Sequence, residues 1–436
     1  MRHARLAVMS ASVSLSEITR VFARIGLLSF GGPAAQIALM HRELVEARPW
    51  LSEAQFLRAL SFCMLLPGPE AMQLCTYCGW RLKGVAGGLI AGTLFVLPGA
   101  LVIFALAALY ARFGDVPLVQ ALFLGIKATV LVIVAQALWK LAQRALGAPL
   151  AWALAGLSFA GLFAFGLPFP AIILAAGLVG ALALAPGAAP TLARPRLADG
   201  TRTLLVWGAL WAAPLVLLWG LGQDLLLQIG LFFSKLAVVT FGGAYAVLAY
   251  MTQEVVVVRG WLETAQMMDA LGLAETTPGP LILVTQFVGI LAGTEAGGLS
   301  LGLIAGLLTL WVTFVPCFLW IFLGAPWIDW ISDQPRLTGA LQGITAAVVG
   351  VIANLALWFA AHVLFGSVGR AGLGPVTVIA PDPASLSLAA LGLAGLAAAL
   401  LWGLRLPLPA VLGLTALAGG ALELLLPALP NVFVLL

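Results

Sequence analysis

The stretch FARIGLLSFGGPAAQIALMHRELVEARPWLSEAQFLRALSFCMLLPGPE, residues Phe22 to Glu70, decides how this chain folds. It is an apolar run broken at Phe30-Gly31-Gly32-Pro33, a charged bend through Trp50, and a second apolar run broken at Pro67-Gly68-Pro69. The same arrangement returns 211 residues later. Phe30-Gly31-Gly32 falls on Phe241-Gly242-Gly243, Glu43 on Glu254, Arg48 on Arg259, Trp50-Leu51 on Trp261-Leu262, and Pro67-Gly68-Pro69 on Pro278-Gly279-Pro280. No gap is needed between residues 22 and 70, and 19 of those 49 positions are identical, so the chain holds two copies of one unit.

Proline removes a helix hydrogen bond and glycine frees the backbone, so each motif interrupts a helix. In a bilayer the released backbone groups are tolerated only where protein or a water-filled cavity surrounds them. Matching interruptions in two halves point to a transporter binding site. A single Gly-Gly pair is more simply read as close helix packing. Four breaks in register favour a site.

Composition agrees with a membrane setting. The chain is 62% hydrophobic and 9% charged, against about 25% charged residues in soluble domains. Its 436 residues leave room for ten or more spans of about 20 apolar residues each. The basic N-terminus is not followed by an apolar core and cleavage site, so no signal peptide is expected. Residues 1–202 hold 16 Lys/Arg and 7 Asp/Glu, whereas residues 203–436 hold 5 and 10. The basic residues sit in short loops, which reads as topology and not as a nucleic-acid surface.

Equivalent loops carry opposite bias. Arg81 and Lys83 stand where the second copy has Glu295, Arg112 and Asp115 match Asp329 and Asp333, and Lys140 and Arg144 have no basic counterpart before Arg370. Cytoplasmic loops are enriched in Lys and Arg, so the copies are expected to be inverted. The fold expected is an all-α polytopic membrane protein of two homologous, inverted repeats with broken or re-entrant helices. The expected divisions are a tail at 1–16, a first repeat at 17–186, a polar, Pro-rich linker at 187–202 and a second repeat at 203–436. Residues 366–384 read as an exposed loop, and 385–436 as a final apolar hairpin.

FGGP, the Glu43–Trp50 bend and LPGPEAMQLCTYCGW (66–80) resemble the chromate ion transporter family, in its long-chain, two-domain form. The resemblance implies a multi-pass protein of the cell (inner) membrane that exports chromate, with sulfate as the related anion, and no enzyme activity. It covers most of both halves. The second copy departs from the motifs at Ala244, Leu281 and Val284, where the first has Pro33, Glu70 and Gln73, so unequal contributions to the site are expected. The alternatives are an oxyanion channel and a sulfate uptake carrier of the same fold; a non-transporting scaffold needs no mid-span breaks or charges.

Helix N-termini present free N–H groups that hold oxyanions without added charge. The expected substrate-binding positions are therefore Gly31, Gly32, Pro33, Gly68, Pro69, Glu70, Gln73, Gly242, Gly243, Thr277 and Gly279, with Lys127 as a counter-charge in an otherwise apolar span. Ionisable groups within spans cost about 2.5–3.5 kcal/mol on insertion scales, so each needs a reason. Glu70 at a helix restart, and Glu275 before Pro278, are candidates for proton coupling. The structural alternatives are a helix cap for Glu70 and, for Lys127, a salt bridge to Glu70 or a stem reaching for the interface. Arg24 and its repeat partner Lys235 are further basic counter-charges, or snorkel to the interface. Glu43 with Arg48, and Glu254 with Arg259, read as structural pairs. Cys63, Cys75, Cys78 and Cys317 read as small buried hydrophobes. The sequence shows no histidine cluster for a metal and no phosphate-binding loop, so no cofactor or metal is expected. The expected partners are chromate or sulfate, the lipid bilayer and, as an open alternative, a second copy of the chain; no nucleic acid is expected.

Inversion has a direct test. Single cysteines at positions 81 and 295 should be labelled by an impermeant reagent from opposite sides of the membrane; labelling from one side removes the basis for inversion.

Overall fold

Many of the helices start where the sequence supplies a cap or a proline. The computed structural model describes residues 13–185, 200–241, 244–332, 334–374 and 376–425. Most of the expected tail and linker lies outside these residues. Helix α1 (Leu15–Leu27) is capped by Ser14, whose hydroxyl accepts from Glu17 N. The first break follows, and α2 (Gly32–His41) restarts from Gly31 and runs into a wider π-turn at Arg42–Glu46. The bend leads to α3 (Glu53–Leu65), whose cap is the expected Ser52. Its hydroxyl accepts from Gln55 N at 3.3 Å while Gln55 Oε1 accepts from Ser52 N at 3.0 Å, a reciprocal capping box.

Helix α4 (Glu70–Phe113) follows the second break. Lys83 and Gly84 leave helical geometry inside it and fold it into two arms, 70–82 and 85–113. The arms run back against each other, since a methyl added at Gly79 would overlap the Gly87 carbonyl and the reverse. Then come α5 (Pro117–Ala145), α6 (Pro149–Phe163) and α7 (Phe169–Ala183), each with Pro in its first turn, where a missing N–H costs nothing. After α8 (Gly200–Gly220) the pattern repeats as α9 (Asp224–Val239), α10 (Ala244–Thr252) with its own π-turn at Gln253–Val258, and α11 (Thr264–Thr276). Helix α12 (Val284–Gly324) folds on itself at Gly297 and Gly298 as α4 does at Lys83 and Gly84. The short α13 (Ile328–Ser332) and the long α14 (Pro335–Leu364) follow, and α15 (Leu388–Ala398) and α16 (Leu408–Leu425) close the described chain.

Six of the described helical stretches are long and apolar enough to cross a bilayer, and shorter apolar helices accompany them. Exposed Leu204, Leu205, Leu217 and Trp219 on α8, which buries no residue, fit a lipid-facing surface. The expected loop at 366–384 is instead a two-stranded antiparallel hairpin, β1 (Val368–Leu373) and β2 (Val376–Pro381). Val376, Val378 and Ile379 favour a strand, and Pro381 stands at its end.

The chain divides into two compact units, each drawn from both copies. The first is Met1–Ala108, Pro186–Val247 and Thr277–Thr338. The second is Leu109–Ala185, Leu248–Thr276 and Gly339–Leu436. Within the first, α8 and α9 pack along α12, and Trp311 Nε1 donates to Leu210 O at 2.8 Å. Within the second, α5 is the axis, gripped by α16, α15 and α11. Glycines permit this closeness: added methyls at Gly125, Gly180 and Gly350 would overlap the carbonyls of Thr415, Gly339 and Ala155. Thr129 and Thr415 hydroxyls meet at 2.7 Å beside the first of these contacts.

In the bend, buried Glu43 accepts from Arg48 at 2.6 Å and faces Arg24 at 3.6 Å. The second copy keeps the pair as Glu254–Arg259 at 3.5 Å, so the structural reading of both holds. His41 Nε2 lies 2.6 Å from Glu53 and Nδ1 3.1 Å from Glu46. The hydrogen bond to Glu53, helped by both carboxylate charges, raises its pKa above the usual histidine value. The four cysteines are free and buried, as expected.

The gripping of α5 predicts that Gly125→Ala destabilises the protein by at least the about 1–3 kcal/mol typical of overpacking. Gly156→Ala, where an added methyl meets nothing within 4 Å, should leave thermal unfolding in detergent unchanged.

Candidate functional site

The breaks are real and they are backbone structures. Gly31 and Gly32 adopt φ of 85° and 78°, and Gly31 caps α2 with Pro33 in the first turn. In the second break Gly68 adopts φ 119°, and α4 starts at Glu70 directly after Pro69. Its counterpart Gly279 adopts φ 91°. Gly242 and Gly243 lie outside the described residues.

A broken helix leaves N–H and C=O groups to be satisfied, and in this protein the copies satisfy each other. Gly68 N donates to Thr240 O at 2.8 Å, and Gly279 N donates to Ser29 O at 2.8 Å. With the repeat offset of 211, Gly68 is Gly279 and Ser29 is Thr240, so one contact is the other with the copies exchanged. Ser29 and Thr240 also turn their hydroxyls back onto Ile25 O and Leu236 O, again equivalent residues. The packing against the breaks repeats in the same way. A methyl at Gly68 would lie 3.0 Å from Cys317 Sγ, while Gly99 of α4 closes on the Pro278 carbonyl, and Gly99 corresponds to Cys317 at the later offset of 218. Such an exchange is the signature of a two-fold relation.

Glutamines finish the breaks. Gln73 is fully buried, and its amide donates to Pro67 O at 2.6 Å, so at least one of the hydrogens expected for an anion holds the break itself. Gln36, which the sequence did not single out, donates to Gly279 O at 2.7 Å and to Ser29 O at 3.3 Å. The Oε1 atoms of Gln36 and Gln73 are buried without a hydrogen-bond partner among the described residues. Glu70 is half-buried in the first turn of α4, where the helix dipole favours a negative charge. Thr277 is buried beside the equivalent break. Arg24 and Lys235 are exposed, and Arg24 is turned to Glu43.

The charged centre lies in the other unit. Lys127 on α5 has its Nζ 2.9 Å from Asp269 Oδ1 on α11, and the two side chains are 14% and 8% exposed. Tyr110, at the end of α4, donates to Asp269 Oδ2 at 2.7 Å. Tyr110 is held edge-on by Phe123, and α11 comes close because an added methyl at Gly272 would meet Ile126 at 2.7 Å. Lys127 thus pairs with Asp269, not with Glu70 as one of its structural alternatives supposed. Asp269 was not among the expected site residues, although it is as much an ionisable group among apolar residues (267–274, MMDALGLA) as Lys127 is. Glu275, one and a half turns on, is also buried.

The same unit encloses a cavity of about 390 Å³. Arg370 from the β-hairpin lines it with His362, Asn354, Gln253 and Thr264, and no Asp or Glu is among its described lining residues. No group of three metal-ligating side chains occurs among the described residues.

These features define an all-α, multi-pass integral membrane protein built from two copies of one broken-helix unit. The chromate transporter family model matches residues 16–181 and 227–421, one region in each copy, and the chain belongs to that family. It is 35% identical to a chromate transport protein of Pseudomonas aeruginosa, over 78% of this chain and 80% of that one. It is 32% identical to the chromate transport protein of Cupriavidus metallidurans, over 78% and 81%. A probable chromate transport protein of Synechococcus elongatus is 31% identical over 78% and 83%. No solved structure matches the chain.

The exchanged hydrogen bonds make the two breaks equally sensitive. Gly68→Ala and Gly279→Ala force a side chain into a left-handed backbone, at about 1–3 kcal/mol each. Gly68→Ala also drives a methyl to 2.8 Å from Gln73 Nε2. Both variants should insert but unfold at lower temperature than wild type, whereas Gly208→Ala, with open space around it, should not.

Proposed function

We propose that this chain is a secondary carrier that exports chromate across the cytoplasmic membrane by alternating access, with sulfate as a competing anion, and so confers chromate resistance. The observation that carries this reading is the match, over about four-fifths of each chain, to three relatives named for chromate transport. The site chemistry supports it within each unit separately. In the first, helix starts at Gly31–Pro33 and Gly68–Glu70 offer N–H groups of the kind that bind oxyanions. In the second, Lys127 supplies a buried cation, and a cavity with Arg370 and no carboxylate among its described lining residues suits an anion. Inversion of the copies would give each break a counterpart facing the opposite side, and the exchanged contacts are of the kind a two-fold relation requires.

Export needs no nucleotide. An inside-negative potential drives each negative charge outward by about 2.3 kcal/mol per 100 mV, and chromate carries two. Proteoliposomes containing the purified chain should take up labelled chromate in a saturable way that responds to an imposed potential and is reduced by excess sulfate. Non-saturable currents at channel rates, or no chromate flux under any gradient, would contradict the proposal.

A further inference from the structure

We propose that the Asp269 carboxylate is an internal stand-in for the transported anion: it occupies Lys127 in the empty carrier and must take up a proton before a dianion can replace it. The inference rests on the carrier reading above.

The geometry is that of a closed, ion-paired site. Lys127 Nζ lies 2.9 Å from Asp269 Oδ1, and Tyr110 donates to Oδ2 at 2.7 Å, so each carboxylate oxygen has one partner. The titratable groups facing Asp269 are Lys127 from α5, which is charged, and Tyr110 from the end of α4, a neutral donor. On its other face α5 meets α16 through Thr129 and Thr415, which carry no charge. A tetrahedral dianion approaching Lys127 meets the Asp269 carboxylate at short range in a medium that screens poorly, and the two repel. Protonation removes that repulsion. The proton binds the carboxylate, the ammonium is released to pair with the anion, and the Tyr110 oxygen remains within reach of the new carboxylic acid.

The ion pair of the bend and the backbone contacts at the breaks are built in both copies. The Glu43–Arg48 pair recurs as Glu254–Arg259, and the Gly68–Thr240 contact recurs as Gly279–Ser29. The Lys127–Asp269 pair does not recur. The position equivalent to Lys127 is Thr345, and that equivalent to Asp269 is Arg58, so the opposite charges exist on one side alone. The charge count also suits export. Empty, the pair is neutral; loaded with one proton and one dianion, it carries one net negative charge, which an inside-negative potential drives outward.

The test uses the full chain purified in detergent, with sulfate and chromate as probes and binding followed by calorimetry across the acid-to-alkaline range. Wild type should bind more weakly as pH rises, by about tenfold per unit above the midpoint, because one proton enters with each anion. Asp269→Asn should bind at least as tightly as wild type at low pH and lose the pH dependence. Lys127→Ala should lose binding at every pH, and Lys127→Arg should regain part of it. If Asp269→Asn is not recovered folded, Tyr110→Phe reports on the same group. It removes a donor that favours the charged carboxylate, so the binding midpoint should move to higher pH. Wild-type binding without pH dependence, or an unchanged profile in every recovered variant of Asp269 and Tyr110, overturns the inference and leaves the carrier reading standing. No binding of either anion by wild type at any pH overturns both.

Discussion

The constraint on which this structure depends is that backbone groups freed inside an apolar medium must find partners. An unpaired N–H in hydrocarbon costs several kcal/mol, and a helix broken by glycine and proline frees a set of them. Here the partner for each Pro-Gly-Pro break is the carbonyl that ends the first helix of the other copy: Thr240 for Gly68 and Ser29 for Gly279. Gln36 ties Ser29 and Gly279 together through one side chain. Neither copy can satisfy its own second break by these contacts, which gives a physical reason for the duplication to be retained in one chain. The glycines follow from the same constraint. Gly99 lets α4 reach the Pro278 carbonyl, and no larger residue fits.

Departures from the repeat mark where the copies do different work. Backbone devices are duplicated, whereas Glu70, Gln73, Lys127 and Asp269 have no chemical equal in the other copy: their counterparts are Leu281, Val284, Thr345 and Arg58. Losing one member of a buried ion pair costs about 3–5 kcal/mol, because the remaining charge stays buried without compensation. A one-sided pair of that cost is a poor fastener in a molecule that builds its backbone contacts and its bend ion pair twice. The proposed exchange of carboxylate for oxyanion gives it a use.

Much of this was legible in the residues. The offset of 211 exposed the duplication, and the Gly and Pro spacing placed the three described breaks, at Gly31–Gly32, Gly68 and Gly279, where helical geometry is lost. Ser52 announced the start of α3, and Glu43 its arginine. What stayed hidden depends on partners far apart in the chain. Asp269 is separated from Lys127 by more than a hundred residues, and a single aspartate at the edge of a charged bend reads as solvated until the fold closes over it. Gln36 looked like one polar residue in an apolar helix, since its partners are carbonyls, which a sequence does not distinguish. The β-hairpin at Val368–Pro381 stayed hidden because the prolines of 366–384 read as loop residues.

The central claim is that the copies hold each other's breaks closed. Amide hydrogen exchange at Gly68 and Gly279 in the purified protein measures this most directly. The account predicts that both amides are protected as long as those of the surrounding helices, and that Gln36→Leu speeds exchange at Gly279 while leaving Gly68 protected. Exchange of either glycine amide at the rate of an open loop in the wild type would contradict it.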